Sequence, residues 1–156
     1  MAVKSLEARA LTLLAMREHS QYELNEKLQK HSQSCSGDLA ELLAKLKAEG
    51  LQCDQRYAEA YVRARVEQGM GPLKIRAALA ARGVSATLIE RVLQAYEPEW
   101  QTLLQRVVDK KYDAQCECTH QQKQRMFRFL IQRGFTPDQV RHHIFRVMPS
   151  IDSCGL

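Results

Sequence analysis

The sequence predicts an all-α protein made of three tandem three-helix repeats, and three observations carry that expectation. Apolar residues recur at helical spacing along most of the chain. Short Gly, Pro, Ser and Thr signals cut this pattern into pieces of helix length. One stretch of the pattern returns 51 positions later. Seven glycines and four prolines in 156 residues are few for a many-stranded sandwich or barrel.

Taken in order, Leu6, Ala10, Leu13 and Leu14 line one face of a first helix. Ser20-Gln21-Tyr22-Glu23 has the form of a capping box, with the hydroxyl accepting from the Glu23 amide and the carboxylate returning a bond to the Ser20 amide. Leu24 and Leu28 follow on that second helix, and residues 32–37 are polar and predict a loop. Leu39, Leu42, Leu43 and Leu46 have the i, i+3, i+4, i+7 spacing of a third helix, which Gly50 stops.

A fourth helix starts near Asp54, with Tyr57, Ala58, Tyr61, Val62 and Val66 on its apolar side. Gly69 and Gly71 interrupt, and Pro72 opens a fifth helix, where its missing amide donor is harmless. Ile75 and Leu79 face inward from it and Gly83 ends it. Ser85 then caps a sixth helix carrying Leu88, Ile89, Val92 and Leu93. Trp100, Leu103, Leu104, Val107 and Val108 mark a seventh helix from near Pro98, and residues 113–120 predict a loop. Met126, Phe127, Leu130 and Ile131 mark the eighth, which Gly134 stops. Thr136-Pro137 opens a ninth, lined by Val140, Ile144 and Val147.

Arg82-Gly83-Val84-Ser85 corresponds to Arg133-Gly134-Phe135-Thr136, an offset of 51 that also pairs Lys74 with Arg125, Leu79 with Leu130 and Ile89 with Val140. The first third has the same order of helices with a longer loop. The expected units are residues 1–50, 51–96 and 97–149, followed by a flexible tail at 150–156. Helices this short need a neighbour's packing to persist in water, so an elongated, curved body is expected.

The formal net charge is +5, from 23 Lys and Arg against 18 Asp and Glu, and residues 106–156 carry +4 of it. This permits contact with nucleic acid or an acidic partner, and it equally serves solubility. Five cysteines, an odd number, and a polar N-terminal segment argue against a secreted disulfide scaffold. With no apolar run of 18 residues, no membrane span is expected and the cytoplasm is the expected location.

Nothing in the pattern calls for catalysis, a cofactor or a metal. Cys116, Cys118 and His120 form the most tempting cluster, but Cys-x-Cys-x-His lacks the second ligand pair that zinc usually takes. His142 and His143 sit among arginines and suggest a surface position, and His19 and His31 suggest partly charged imidazoles near helix ends. The glycines around Pro72 lack the Lys-Ser/Thr of a phosphate loop. The basic residues offer a better candidate: Lys74, Arg76 and Arg82 in the second unit, and Lys123, Arg125, Arg128 and Arg133 in the third. The plainer alternative is a solvated face of mixed charge; the recurrence of Arg82 and Arg133 beside helix-ending glycines tilts away from it, although an arginine there can also cap the helix's last carbonyls.

Four segments resemble the RecX family, the bacterial regulators of the RecA recombinase. They are Ala-Met-Arg-Glu-His-Ser-Gln-Tyr-Glu-Leu at 15–24, Gly-Leu-Gln-Cys-Asp-Gln-Arg-Tyr-Ala at 50–58, residues 71–84 through Arg82-Gly83-Val84, and residues 123–140 through Arg133-Gly134-Phe135. Their order and spacing cover nearly all of residues 4–148. The family usually has Leu-Asp-Asp before x-Arg-aromatic-Ala; here Gln52 and Cys53 depart from that pattern and only Asp54 of the acidic pair remains, and Ala78 stands where Glu is common. The resemblance implies tandem three-helix repeats that bind RecA and its filament on single-stranded DNA. It implies restraint of ATP hydrolysis, filament extension and strand exchange, and hence roles in recombination, repair and the SOS response. It implies no cofactor beyond the nucleotide that belongs to RecA. The competing expectation is a general helical nucleic-acid-binding protein that acts on DNA directly. A monomer is expected, with weak direct contact to single-stranded DNA.

Small-angle scattering tests the expected shape. A radius of gyration above the roughly 15 Å of a compact chain of this length is expected, and a value at that figure would contradict an extended repeat body.

Overall fold

A computed structural model describes residues 2–31, 36–112 and 119–147. Their helices follow one another as three triplets: α1 (Ala2–Met16), α2 (Gln21–Gln29) and α3 (Ser36–Ala48); α4 (Asp54–Glu67), α5 (Pro72–Ala80) and α6 (Ala86–Ala95); α7 (Trp100–Lys111), α8 (His120–Arg133) and α9 (Pro137–Val147). A single 3-10 turn at Glu97–Glu99 leads into α7. No strand occurs among the described residues. The fold is all-α and repetitive, as the periodicity predicts. The expected tail and most of the two expected polar loops lie outside the described residues.

Local signals place the helix ends. Ser20 is extended and its hydroxyl accepts from the Glu23 amide at 3.1 Å, so it caps α2 as expected. The return bond of the expected capping box does not form, because the Glu23 carboxylate is taken by more distant partners. A full capping box stands instead at Thr119 and Gln122 before α8, inside the segment expected to be loop. Thr136 and Gln139 make the same reciprocal pair at the start of α9.

Contacts gather the chain into two compact units. The first is residues 1–62 with 78–92, and the second is residues 63–77 with 93–156. The middle triplet therefore contributes to both. In the first unit α1, α2 and α3 pack on one another around Leu6, Ala10, Leu24, Leu28, Leu39, Leu42, Leu43 and Leu46, all buried. Burying side chains of this size contributes roughly 1.5–3 kcal/mol each relative to exposure. In the second unit α9 packs on α7 and α8, and Trp100, Leu104, Met126, Leu130, Phe135 and Val140 are buried.

One junction recurs in both units. In the first, the Ser20 hydroxyl at the start of α2 donates to the carbonyl of Arg82 at 2.8 Å, across 62 residues. In the second, the Gly71 amide at the start of α5 donates to the carbonyl of Arg133 at 2.8 Å, and the Leu73 amide to Gly134 at 2.9 Å. The 51-residue offset that relates Arg82 to Arg133 also relates Ser20 to Gly71, so the two junctions have the same sequence separation. The second helix of a triplet thus sets its N-terminal end on the Arg-Gly turn of the next triplet. Such ends leave amide groups without intrahelical partners. The turn carbonyls satisfy them at α5. At α2, Asp54 Oδ1 and the Ser20 hydroxyl accept from the Gln21 and Glu23 amides, and that hydroxyl carries the contact to the turn.

Glycine is needed at these turns for conformation and for space. Gly83 and Gly134 have φ of 74° and 91°, the left-handed region that ends helices without a Cβ penalty. A Cβ on Gly83 would stand 2.7 Å from Cβ of Tyr22, and one on Gly71 would collide with the backbone of Gly134 and Phe135. Backbone cannot swing aside as a flexible side chain does. Gly71→Ala is therefore expected to destabilise the protein by about 2–4 kcal/mol, a strain-type loss readable in urea unfolding curves. An unchanged midpoint would mean that the close backbone approach does not exist in solution.

Candidate partner-binding surface

In the first unit, the segment His19-Ser20-Gln21-Tyr22-Glu23 is a packing device. His19 is 1% exposed. Its Nδ1 lies 2.9 Å from the Arg17 carbonyl and its Nε2 lies 2.9 Å from Lys27 Nζ. A lysine ammonium has only protons to give and a carbonyl only lone pairs, so Nδ1 carries the hydrogen and Nε2 accepts. Burial first, then the Arg17 and Lys27 charges, push His19 below the ordinary imidazole value, outweighing the carbonyl bond and Glu23. The charged imidazole expected at this helix start is therefore corrected to a buried neutral one.

Glu23 collects three donors: Arg17 Nη1 at 3.1 Å, Arg82 Nε at 3.1 Å and the Tyr57 hydroxyl at 3.2 Å. Burial pushes its carboxyl up. The Arg17 guanidinium, then the Tyr57 and Arg82 bonds, more than reverse this and leave it below the ordinary carboxylate value. Arg82 also donates to the Ala78 carbonyl at 2.8 Å and lies 5.0 Å from the Tyr61 ring centre. Its charge is spent inside the unit, and it caps the end of its own helix.

The departures at Gln52 and Ala78 find places here. Gln52 is buried, with its amide nitrogen donating to the His19 carbonyl at 3.2 Å and to Asp54 Oδ1 at 2.9 Å. Ala78 offers only its carbonyl to Arg82. Cys53 is half-buried at the residue before α4, where an acidic side chain would be a stronger helix cap.

The second unit uses the corresponding positions differently. The 51-residue offset puts Lys74 where the first unit has Glu23. A lysine repels the arginine that a glutamate would hold. Lys74 Nζ instead lies 3.4 Å from the Gln132 carbonyl, and Arg133 donates to the Gln68 carbonyl at 2.9 Å, closing the end of α4. The Arg133 guanidinium also stands 5.2 Å from the Phe129 ring centre. No carboxylate neutralises either cation among the described residues.

The seven expected residues thus part company. Arg82 lies in the first unit, and the other six lie in the second. Lys74, Arg125 and Arg128 are exposed, and among the described residues neither Arg125 nor Arg128 is held by an ion pair. Arg125, Phe129 and Arg133 are spaced i, i+4, i+8 and share a stripe of α8, with Arg128 beside it. Lys123, two residues before Arg125, falls on another side of the helix. Arg76 and Lys123 each hold an interaction within the chain.

Sequence reasoning missed Arg106, Lys110 and Lys111 on α7. Arg106 and Lys110 share the i, i+3, i+4, i+7 stripe of Leu103 and Val107, so the last turns of that stripe emerge from the core as cations. Lys111 Nζ lies 3.5 Å from the Phe129 ring centre. The surface position expected for the histidine pair is half corrected. His142 is exposed, but His143 is 5% exposed, and its burial holds it below the ordinary imidazole value, with Asp109 opposing and His142 adding. Of the Cys116, Cys118 and His120 group, Cys116 and Cys118 lie outside the described residues. Among the described residues no three His, Cys, Asp or Glu side chains gather as metal ligands, and no helix is long and apolar enough to cross a membrane.

Residues 54–93 match the family model for the second three-helix domain of RecX, and residues 97–144 match that for the third. The chain belongs to the RecX family. It is 40% identical over 133 residues to the regulatory protein RecX of Chromohalobacter salexigens, covering 85% of this chain and 86% of that relative. It is 39% identical over 132 residues to that of Halorhodospira halophila, covering 85% and 81%. The crystal structure of RecX from Lactobacillus salivarius has the same fold, with a TM-score of 0.77 over 94% of this chain and 96% of that one at 21% identity. A RecX-like regulatory role accompanies the membership.

The buried histidines make stability depend on pH in one direction. His19 and His143 have folded values below their ordinary 6.5, so the unfolded chain takes up protons first as pH falls. Their contribution is full above that value and is lost on acidification. Glu23 adds a further loss below its ordinary 4.5. Thermal melts should therefore drop between pH 7 and pH 5, and His19→Gln should flatten part of that slope. A wild-type melting temperature that rises on acidification would contradict both burials.

Proposed function

We propose that this protein binds the RecA recombinase and its filament on single-stranded DNA, and restrains ATP hydrolysis, filament extension and strand exchange. It acts by binding, as a monomer in the cytoplasm, with no cofactor of its own. Units at 1–50, 51–96 and 97–149 present successive helix faces to the filament. Family membership supports the partner, and the chemistry of the second unit supports the contact.

One observation supports the placement of that contact: Lys74, Arg125 and Arg128 are exposed and no ion pair holds them among the described residues, whereas Arg82 is held by Glu23. Lys74, Arg125 and Arg128 are the leading contact residues, with Arg76, Lys123 and Arg133 beside them. Arg82 contributes by holding the first unit together. Arginine's planar fork suits both phosphate and carboxylate acceptors along a nucleoprotein filament.

Inhibition of RecA's DNA-dependent ATPase tests this. Arg125→Gln with Arg128→Gln should raise the half-inhibiting concentration about tenfold, the equivalent of about 1.4 kcal/mol, and the difference from the wild type should shrink as salt screens the contact that the variant lacks. Lys74→Glu should weaken inhibition as well, by restoring at the second junction the acid that Glu23 supplies at the first. Arg82→Gln should lower the melting temperature and leave the folded protein's inhibition nearly intact. Full inhibition by the folded Arg125/Arg128 and Lys74 variants would overturn the basic-surface reading. Tight, steeply salt-dependent binding to an oligonucleotide without RecA would favour a direct nucleic-acid binder instead.

A further inference from the structure

We propose that a cavity in the second unit is a docking site for an acidic peptide segment carrying an apolar side chain. The inference does not depend on RecA being the partner. The cavity has a volume of about 450 Å³ and lies among the end of α4, α7 and α8. Leu103, Val107 and Phe129 supply apolar wall, and Gly69 brings backbone close to Val107. Arg106, Lys110, Lys111 and Arg133 ring it, against the single carboxylate of Glu67.

That pairing selects the occupant. Four cations facing one anion call for a ligand of negative charge. The apolar wall calls for a hydrocarbon group beneath that charge, because apolar surface removed from water is the larger attraction at close range. A peptide with carboxylates on either side of a leucine meets both demands in one extended segment. A nucleic-acid strand meets only the first. Its phosphates suit the rim, but a base would need the face of Phe129. Lys111 Nζ already stands 3.5 Å from that ring's centre and Arg133 at 5.2 Å, with the Tyr112 ring edge-on at 6.4 Å. Arg133 is also anchored to the Gln68 carbonyl at 2.9 Å, so one side of the rim is preformed. A fixed cation loses less freedom on binding than a loose one.

Fluorescence anisotropy on the full chain tests the proposal with four labelled probes of equal length. They are a Glu/Asp peptide with a central Leu, its Gln/Asn counterpart, the acidic peptide with Gly in place of Leu, and an oligothymidine. The acidic Leu peptide should bind tightest, and each peptide change should weaken binding about tenfold. Arg106→Gln with Lys110→Gln and Lys111→Gln alters exposed side chains, and its fold is checked by circular dichroism. It should weaken the acidic Leu peptide by at least the same factor. Equal binding of the Leu and Gly peptides would overturn the cavity as the site, as would an affinity untouched by the triple variant. An oligothymidine that binds tighter than the acidic peptide, and loses affinity in the triple variant, would assign the surface to nucleic acid instead. These outcomes are read without RecA, so they succeed or fail separately from the ATPase test.

Discussion

The seating of one helix start on the Arg-Gly turn 62 residues later is the constraint on which the rest depends. A short helix cannot hold itself together in water, and its first amides need acceptors that its own backbone does not supply. The turn after α8 supplies them to α5 as carbonyls, and the turn after α5 accepts the Ser20 hydroxyl that caps α2; a left-handed glycine ends the helix at each turn. A side chain on Gly71 would drive the two backbones apart, and one on Gly83 would strike Tyr22. Seating the helix start and spacing the helices are thus one act, made through a capping hydroxyl in the first unit and through backbone amides in the second.

The two junctions share a sequence separation of 62 residues and differ in charge. Glu23 gathers Arg17, Arg82 and the Tyr57 hydroxyl into a nearly neutral, half-buried knot. Lys74 at the corresponding position leaves its junction cationic, and Arg133 turns to a carbonyl and an aromatic face instead. With Arg125 and Arg128 along α8, and Arg106 and Lys110 along α7, positive charge concentrates in the second unit. The repeat supplies the scaffold, and a single change of sign leaves one junction neutralised and the other cationic.

Much of the fold was legible because its signals are local. Helical spacing, Ser20, Thr136, Pro72 and the stop glycines all act within a few residues of themselves, and the elements fall where those signals put them. The repeat was legible too, since Arg82-Gly83 and Arg133-Gly134 are recognisable in sequence. What those turns receive was not, because the Ser20 hydroxyl and the Gly71 amide meet them only through the fold. Glu23 illustrates the failure of local reasoning: its carboxylate had a nearby amide to cap, but two guanidiniums and a phenol brought from afar took it. His143 carried a signal that was passed over, since it stands three residues after Val140 on the apolar stripe of α9. The basic set was half legible. Charge can be counted, but whether an arginine is spent on a carboxylate or left in water depends on long-range partners.

Native-state hydrogen exchange at the Gly71 and Leu73 amides tests the central claim most directly. If these amides are held by the Arg133 and Gly134 carbonyls and open only with the second unit, their protection should match that of the Met126 and Leu130 amides in buried α8. Exchange near the rate of an unstructured peptide, while α8 stays protected, would mean that the junction is a surface contact and that something else holds the repeats together.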